Sequence, residues 1–297
     1  MTALAGRPAG VSTRRRLTDH VATVAAWAAF AAAAIPLVSL LVTVVTRGLA
    51  RLDMTFFTSS MRGIVGAGGG AAHALWGTVL VTLAATAISV PIGVGTAVYL
   101  VEYGRPVLSR LLWFLVDVMT GLPSVVAGLA AYALIVMVVG PGARSGLAGA
   151  IALSLLMIPV VVKSSAEMLR LVPTDLREAA TGLGASRPAV IATVGLPAAR
   201  PGIVAGVMLG VGRIIGETAP LLLVAGFTDS LNLNLTTGRM ATLPVYIYSQ
   251  WQNKGADQAA YDNRAWTAAL VLIGLVLLFS LAARLLGRLL APTSLKG

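Results

Sequence analysis

The sequence predicts an all-α integral membrane protein with six transmembrane helices and one cytoplasmic helical segment. Of its 297 residues, 57% are hydrophobic and only 11% are charged, whereas soluble domains carry about 25% charged residues. Six apolar runs are each long enough to cross all or most of a hydrocarbon core of about 30 Å. No stretch outside these runs is long enough to build a sizeable core of its own.

The predicted spans follow the apolar runs in chain order. They cover residues 21–46, 75–101, 111–139, 146–162, 201–227 and 265–286. Together they form a membrane domain at 21–290, between a cytoplasmic N-terminal tail at 1–20 and a C-terminal tail at 291–297. The sequence GLPSVVAG, from Gly121 to Gly128, is expected to break the third span, because glycine and proline interrupt helices.

Three segments between the spans differ in character. Residues 47–75 form a Gly-rich loop, and residues 229–264 form a loop rich in Asn, Thr and Tyr. Residues 163–200 are the only long polar amphipathic segment between spans. In an N-inside arrangement, the inside segments carry fourteen Lys and Arg residues and the outside segments seven. The positive-inside rule therefore predicts that both termini and residues 163–200 are cytoplasmic.

The composition also excludes several function classes. The net charge of +11 comes from residues at the ends of apolar runs, and no basic patch is interleaved with aromatics, so we expect no nucleic acid partner. There is no cysteine, and His20 and His73 lie far apart, so we expect no metal site. None of the three lysines follows a glycine, which excludes a Walker A motif. No sequence pattern of an intramembrane hydrolase is present, so we expect no catalytic residue.

The segment from Pro173 reads PTDLREAATGLGASRP and predicts two short helices joined by a glycine turn. Gly182 and Gly184 can end the first helix with positive φ, and Ser186 with Pro188 can begin the second. The alternative is an ordinary amphipathic surface helix. The run EAA at Glu178, Ala179 and Ala180, with Gly182 and a later Leu-Pro pair, resembles the EAA signature of ABC-importer permeases. That resemblance implies a coupling helix that docks on an ATP-binding subunit.

Gly202, Gly206 and Gly210 recur every four residues in the fifth span, and Arg213 and Glu217 are expected to continue the same helix face. Small residues let helices approach closely, so the two charges would point into an interface or cavity. One interpretation is a structural ion pair. The other is that the planar donor fork of Arg213 contacts an oxyanion in transit, with Glu217 moderating the affinity.

The phrase GRIIGETAPLLLVAG, from Gly212 to Gly226, is similar to the corresponding span of phosphate-importer permeases of the PstA type. The Gly121–Gly128 and Leu243–Trp251 sequences resemble the same family, so the resemblance runs from about residue 75 to 290. It implies Arg213 and Glu217 in the transport path of inorganic phosphate. The implied partners are a PstC-type second permease, two ATP-binding subunits that hold ATP and Mg²⁺, an extracytoplasmic phosphate-binding protein and membrane lipid. This chain itself would bind no cofactor and would lie in the cytoplasmic membrane of a bacterium.

Asp117 is a further charged residue within a predicted span. One expectation is that it serves as an interfacial cap or as the partner of Arg110. The other is that it takes part in gating. Two other functions stay open. One is a permease for a different oxyanion, such as sulfate or molybdate. The other is a secondary transporter in which Glu217 or Asp117 relays protons.

Overall fold

A computed structural model describes residues 13–289, and every regular element in that range is helical. The chain divides after Arg47 into two compact units. The first contains most of helix α1 (Thr13–Gly48), whose described apolar side chains are mostly exposed, with Val44 buried near its end. Because α1 begins at Thr13, the last part of the predicted N-terminal tail is helical. The predicted C-terminal tail at 291–297 lies outside the described residues.

The second unit holds the remaining helices. They are α2 (Met54–Thr58), α3 (Ala72–Val98), α4 (Pro106–Gly121), α5 (Ser124–Val139), α6 (Gly146–Arg170), α7 (Thr174–Gly182), α8 (Arg187–Val190), α9 (Leu196–Ile214), α10 (Ala219–Val224), α11 (Leu243–Gln252) and α12 (Gln258–Leu289). Within residues 13–289, five helical stretches are long and apolar enough to span a bilayer, and α4 with α5 makes a sixth if they form one bent span. This confirms the predicted all-α membrane fold.

Helix α6 lies at the centre of the second unit and contacts α3, α4, α5, α9 and α10. Its alanines allow this, since Ala148, Ala150 and Ala152 are fully buried. Glycines of the neighbouring helices face it: Gly93 of α3 lies against Val161, for example. Without a hydrophobic driving force between helices in lipid, close van der Waals packing of small residues is what holds such a bundle together.

The predicted third span is broken where the sequence indicated. Helices α4 and α5 meet at an angle of 112°. Leu122 adopts an extended conformation between them, because the ring of Pro123 disfavours helical backbone at the preceding residue. The bend turns the exposed apolar helix α4 away from the axis of α5.

The segment at 163–200 is more helical than predicted. Helix α6 continues to Arg170, past the predicted end of the fourth span at 162, so Lys163 lies within this helix. The prolines of Leu196–Pro201 predict a turn before the fifth span. A continuous helical stretch of 28 residues runs from Arg187 to Ile214 instead, so that prediction is wrong. The π-helical turn at Ile191–Gly195 precedes Pro197, and local π geometry is one way a membrane helix accommodates proline.

Two loops lie at the end of the second unit where α3 begins. They are residues 59–71, here called the cap loop, and residues 225–242. The amide of Met61 donates to the carbonyl of Asp229 across 3.1 Å and so joins them. The amide of Leu243 donates to the Thr78 hydroxyl across 2.7 Å, which fixes the start of α11 against α3. The predicted Asn/Thr/Tyr-rich loop at 229–264 therefore contains a helix, α11, and the beginning of α12.

Candidate functional site

The glycines of α9 form the row that packs against α6. Gly206 faces Ser164, and a Cβ added to Gly210 would lie 3.1 Å from the Cγ of Met157. Steps of four residues continue this row to Ile214, which is fully buried. The predicted glycine face therefore exists, and its function is helix packing.

Arg213 lies on a different row of the same helix. Steps of four residues connect it to Leu209 and Ala205, and all three residues are exposed. The expectation that Arg213 continues the glycine face is wrong, because one residue of displacement rotates a side chain by about 100° around the helix. Arg213 instead projects from a face of α9 that residues 13–289 leave exposed.

Glu217 is not on α9 at all. The helix ends at Ile214, and Glu217 lies in the four-residue break before α10, half-buried. Gly216 weakens a helix interior, and Pro220 would clash with the carbonyl of residue 216 in a continuous helix. The expected spacing of one helical turn between Arg213 and Glu217 is therefore wrong. No ion pair joins the two side chains in the described part of the chain.

Asp117 pairs with a residue that the sequence had not suggested. Its carboxylate lies 2.8 Å from the Lys163 ammonium and links α4 to α6. The pairing with Arg110 is thus not formed. About two-thirds of the Asp117 side chain and about one-third of the Lys163 side chain are exposed.

Helix α7 stands out from the core. None of its residues is buried. Glu178, Ala179 and Gly182 are exposed and Ala180 is half-buried, while Leu176 and Leu183 expose 50% and 90% of their surface. The glycine turn after α7 forms as predicted, but the positive φ belongs to Gly184 and not to Gly182. We call residues 171–190, with α7 and α8, the elbow.

One charged cluster attaches the elbow to the core. Arg177 of α7 donates to the Glu102 carboxylate and to the Leu169 carbonyl, each across 2.6 Å. Arg187 of α8 donates to the backbone carbonyl of Glu102 and lies 5.0 Å from the centre of the Tyr103 ring. These five residues are called the Glu102 cluster. Sequence reasoning missed it, because Glu102 and Arg177 are 75 positions apart.

A second cluster holds the cap loop. The fully buried Arg264 of α12 donates to the side-chain oxygen of Gln250 across 2.7 Å and to the Gly66 carbonyl across 2.6 Å. Arg264 also donates to the Gly68 carbonyl. Arg51 donates to the Gly69 carbonyl across 3.0 Å. Gly66 and Gly68 both have positive φ, which turns their carbonyls toward the guanidinium. The loop expected at 47–75 therefore contains helix α2, and its glycine-rich part is held by the buried Arg264 and the half-buried Arg51.

Within residues 13–289, no group of three or more His, Asp or Glu side chains is placed to hold a metal ion. His73 is buried and packs its ring against Tyr246, with 5.4 Å between ring centres. The described residues thus form a packed helical core that carries an exposed arginine, Arg213, on α9 and the exposed elbow.

The chain is similar to known transport proteins over most of its length. The family described as "Binding-protein-dependent transport system inner membrane component" matches residues 89–294. "Phosphate transport system permease protein PstA 1" of Mycobacterium tuberculosis (strain CDC 1551 / Oshkosh) is 43% identical over 93% of this chain and 90% of the relative. "Phosphate transport system permease protein PstA" of Yersinia pestis is 36% identical over 92% of this chain and 90% of the relative.

Solved structures share the fold at lower identity. An inward-facing structure of the MetNI methionine ABC transporter superposes with a TM-score of 0.60 at 20% identity and covers 74% of this chain and 96% of that one. A bacterial ABC transporter involved in the import of the acidic polysaccharide alginate gives a TM-score of 0.61 at 15% identity, over 92% of this chain and 98% of that one. The chain therefore belongs to the binding-protein-dependent transport system inner membrane components, and within them to the permeases of the PstA type.

Proposed function

We propose that this chain is one of two permease subunits of an ATP-driven importer that moves inorganic phosphate into a bacterial cell. The observation that carries the substrate is the 43% identity to a phosphate transport permease over 93% of the chain. One permease subunit would form only half of the path that phosphate takes through the membrane. The proposed assembly adds a PstC-type permease, two ATP-binding subunits that hold ATP and Mg²⁺, and an extracytoplasmic phosphate-binding protein.

Arg213 is the proposed contact for phosphate. A charged side chain at the bilayer centre costs at least about 2.5–3.5 kcal/mol unless it faces water or a partner. Arg213 has no ion-pair partner within residues 13–289 and lies on an exposed row of α9. These facts support a position along a water-filled path, where its planar fork can hold two oxygens of phosphate.

Glu217 is proposed to line the same path from the break between α9 and α10. Its half-buried position supports a role on the path and does not support the alternative of a structural pair with Arg213. A carboxylate close to an anion path weakens anion binding by repulsion, and a transporter must release what it binds.

The elbow is proposed as the docking site for an ATP-binding subunit. Glu178, Ala179 and Gly182 form its exposed surface, beside the exposed Leu176. Ala180, half-buried, completes the motif. Small side chains let a partner approach closely, and exposed leucines on an otherwise polar helix are surface that a partner can bury. Closure of the ATPase dimer would move the elbow as a rigid body.

The Asp117–Lys163 pair is a proposed gating contact. It joins α4 to α6, so separation of these two helices would break it. The excess of positive charge in the inside segments supports a topology with both termini in the cytoplasm.

Uptake of radiolabelled phosphate tests this function. The chain would be expressed with its partner genes in bacteria that lack their own phosphate importers. We expect uptake that needs ATP, survives collapse of the proton gradient and is not competed by sulfate or molybdate. Competition by either anion would favour the other-oxyanion alternative. Uptake that survives ATP depletion but stops without the proton gradient would favour a secondary transporter.

A further inference from the structure

The Glu102 cluster is more than a local ion pair, because it links the elbow to α3 as well as to α6, beside the buried apolar contacts of Val172 and Val190. Helix α7 buries none of its own residues. Its side-chain bonds to the core come from Arg177, as far as residues 13–289 show. That side chain and the Glu102 side chain are 22% and 10% exposed, so the pair is largely shielded from water.

The two bonds of Arg177 lead to two different helices. Glu102 lies in the π-helical turn Tyr99–Tyr103 that extends α3, and the Leu169 carbonyl lies in the last turn of α6. Helix α6 is already joined to α7 by a short chain segment, and α9 is joined through α8. Helix α3 has no such connection, since about 70 residues separate Glu102 from α7 in sequence.

Arg187 brings the other half of the elbow to the same residue. It donates to the Glu102 backbone carbonyl and stacks on Tyr103. A change of the Glu102 side chain would therefore break the link from α7 to α3 and leave the link from α8 in place. That separation makes the role of the side chain testable.

We infer that Glu102 and Arg177 are positioning residues that add α3 to the unit moved by the ATP-binding subunit. This inference rests on the proposed function of the elbow as the docking site. Without the pair, movement at α7 still reaches α6 and α9 through the chain. It then reaches α3 only through the packing of α3 on α6 and the bond from Arg187, so α3 is drawn less strongly. Energy coupling, and not subunit assembly, is then what the pair provides.

The test is a double-mutant cycle in the purified complete transporter, reconstituted in lipid vesicles with its binding protein. Glu102→Gln, Arg177→Gln and the double variant are compared for phosphate imported and ATP hydrolysed. We expect each single variant to raise the ATP hydrolysed per phosphate by at least about five-fold, the low end of typical allosteric coupling. The double variant should be no worse than Arg177→Gln, because replacing Arg177 already removes its contact with the Glu102 side chain.

Two further variants serve as comparisons. Arg177→Lys keeps the charge but not the two-pronged donor geometry, so it should fall between wild type and Arg177→Gln. Asp262→Asn removes another ion pair of the same length, the 2.6 Å contact with Lys254, outside the Glu102 cluster. It should leave the ATP-to-phosphate ratio unchanged.

Other outcomes would overturn the inference. An unchanged ratio in Glu102→Gln, or additive effects in the double variant, would show that the pair does not couple the helices. Loss of the ATP-binding subunit from the purified Glu102→Gln complex would assign the pair to assembly instead. Failure of the wild-type vesicles to import phosphate would contradict the proposed function itself, and is distinguished because it appears without any substitution.

Discussion

Arg213 occupies an exposed row of an apolar helix, and no ion pair within residues 13–289 includes it. A residue of this kind is either covered by a partner subunit or faces water. Both possibilities place it at the boundary between this permease and its surroundings, where half of a shared path would lie.

Replacing Arg213 with Gln tests its proposed contact with phosphate. We expect uptake to fall at least about ten-fold, because a hydrogen bond to a charged group contributes about 1.5–3 kcal/mol. Arg213→Lys keeps the charge without the planar fork and should retain part of the activity. Subunit assembly, measured by co-purification, should be intact in both. Normal uptake by Arg213→Gln would remove the residue from the path.

At the scale of single residues, the sequence predicted which charged residues are unusual for a membrane span, but not which side chains contact each other. Arg213 and Asp117 stand out because charges in apolar runs are rare. The partner of Asp117 could not be predicted, since Lys163 is 46 positions away and was expected just outside the fourth span. Glu217 was misplaced because the helix break depends on Gly216 and Pro220 together, and membrane helices often tolerate either residue alone.

At the scale of the helices, close packing of α3 depends on glycine at selected positions only. A Cβ built on Gly77 collides with the backbone carbonyl of Ala241, whereas one built on Gly95 meets nothing within 4 Å. A backbone atom cannot move aside as a side chain can.

Gly77→Ala should therefore destabilise the fold by about 1–3 kcal/mol, the usual cost of overpacking. Gly95→Ala is the matched control in the same helix and should be neutral or slightly stabilising, because alanine favours helix. Thermal unfolding of the two purified variants in detergent gives the comparison. Equal stabilities would mean that the contact between α3 and residue 241 is not tight.

The elbow offers a second test among the elements. Replacing Glu178 with Lys reverses a charge on the exposed helix α7, and we expect the amount of co-purified ATP-binding subunit to fall about ten-fold, which corresponds to about 1.4 kcal/mol. Glu178→Gln removes the charge without reversing it and should have a smaller effect. Undiminished co-purification of the lysine variant would contradict docking at this helix.

The sequence predicted most of these elements, because long apolar runs must form helices when lipid offers no hydrogen bonds to the backbone. It also predicted the break near Pro123 and the glycine turn in the elbow. It did not predict that the helix continues through Leu196–Pro201. Pro197 and Pro201 indicate a turn locally, and only the neighbouring π turn and the packing on α6 decide otherwise.

At the scale of the whole second unit, Arg264 connects three distant parts of the chain: the cap loop, α11 and α12. Sequence reasoning assigned residues 47–75 to a Gly-rich loop and could not see this, because the arginine lies about 200 positions away. In the sequence these glycines indicate a flexible loop. In the structure, Gly66 and Gly68 adopt positive φ and their carbonyls accept from the buried Arg264.

Arg264→Met should loosen the cap loop. The substitution leaves the buried oxygens of Gln250 and Gly66 without donors, at about 1–3 kcal/mol each. We expect faster amide hydrogen exchange in residues 62–71 and a lower unfolding temperature. Arg62→Met is the matched control, since Arg62 is an exposed residue of the same loop. Unchanged exchange in Arg264→Met would contradict the role assigned to the buried guanidinium.

The continuous helix from Arg187 to Ile214 has a mechanical consequence. Its 28 residues measure about 42 Å at 1.5 Å per residue. Such a rod acts as a lever, since a tilt of about 5° at the elbow displaces the far end by roughly 4 Å. Arg213 lies at that far end, so a small rotation imposed on α8 would become a displacement comparable to the width of a phosphate ion.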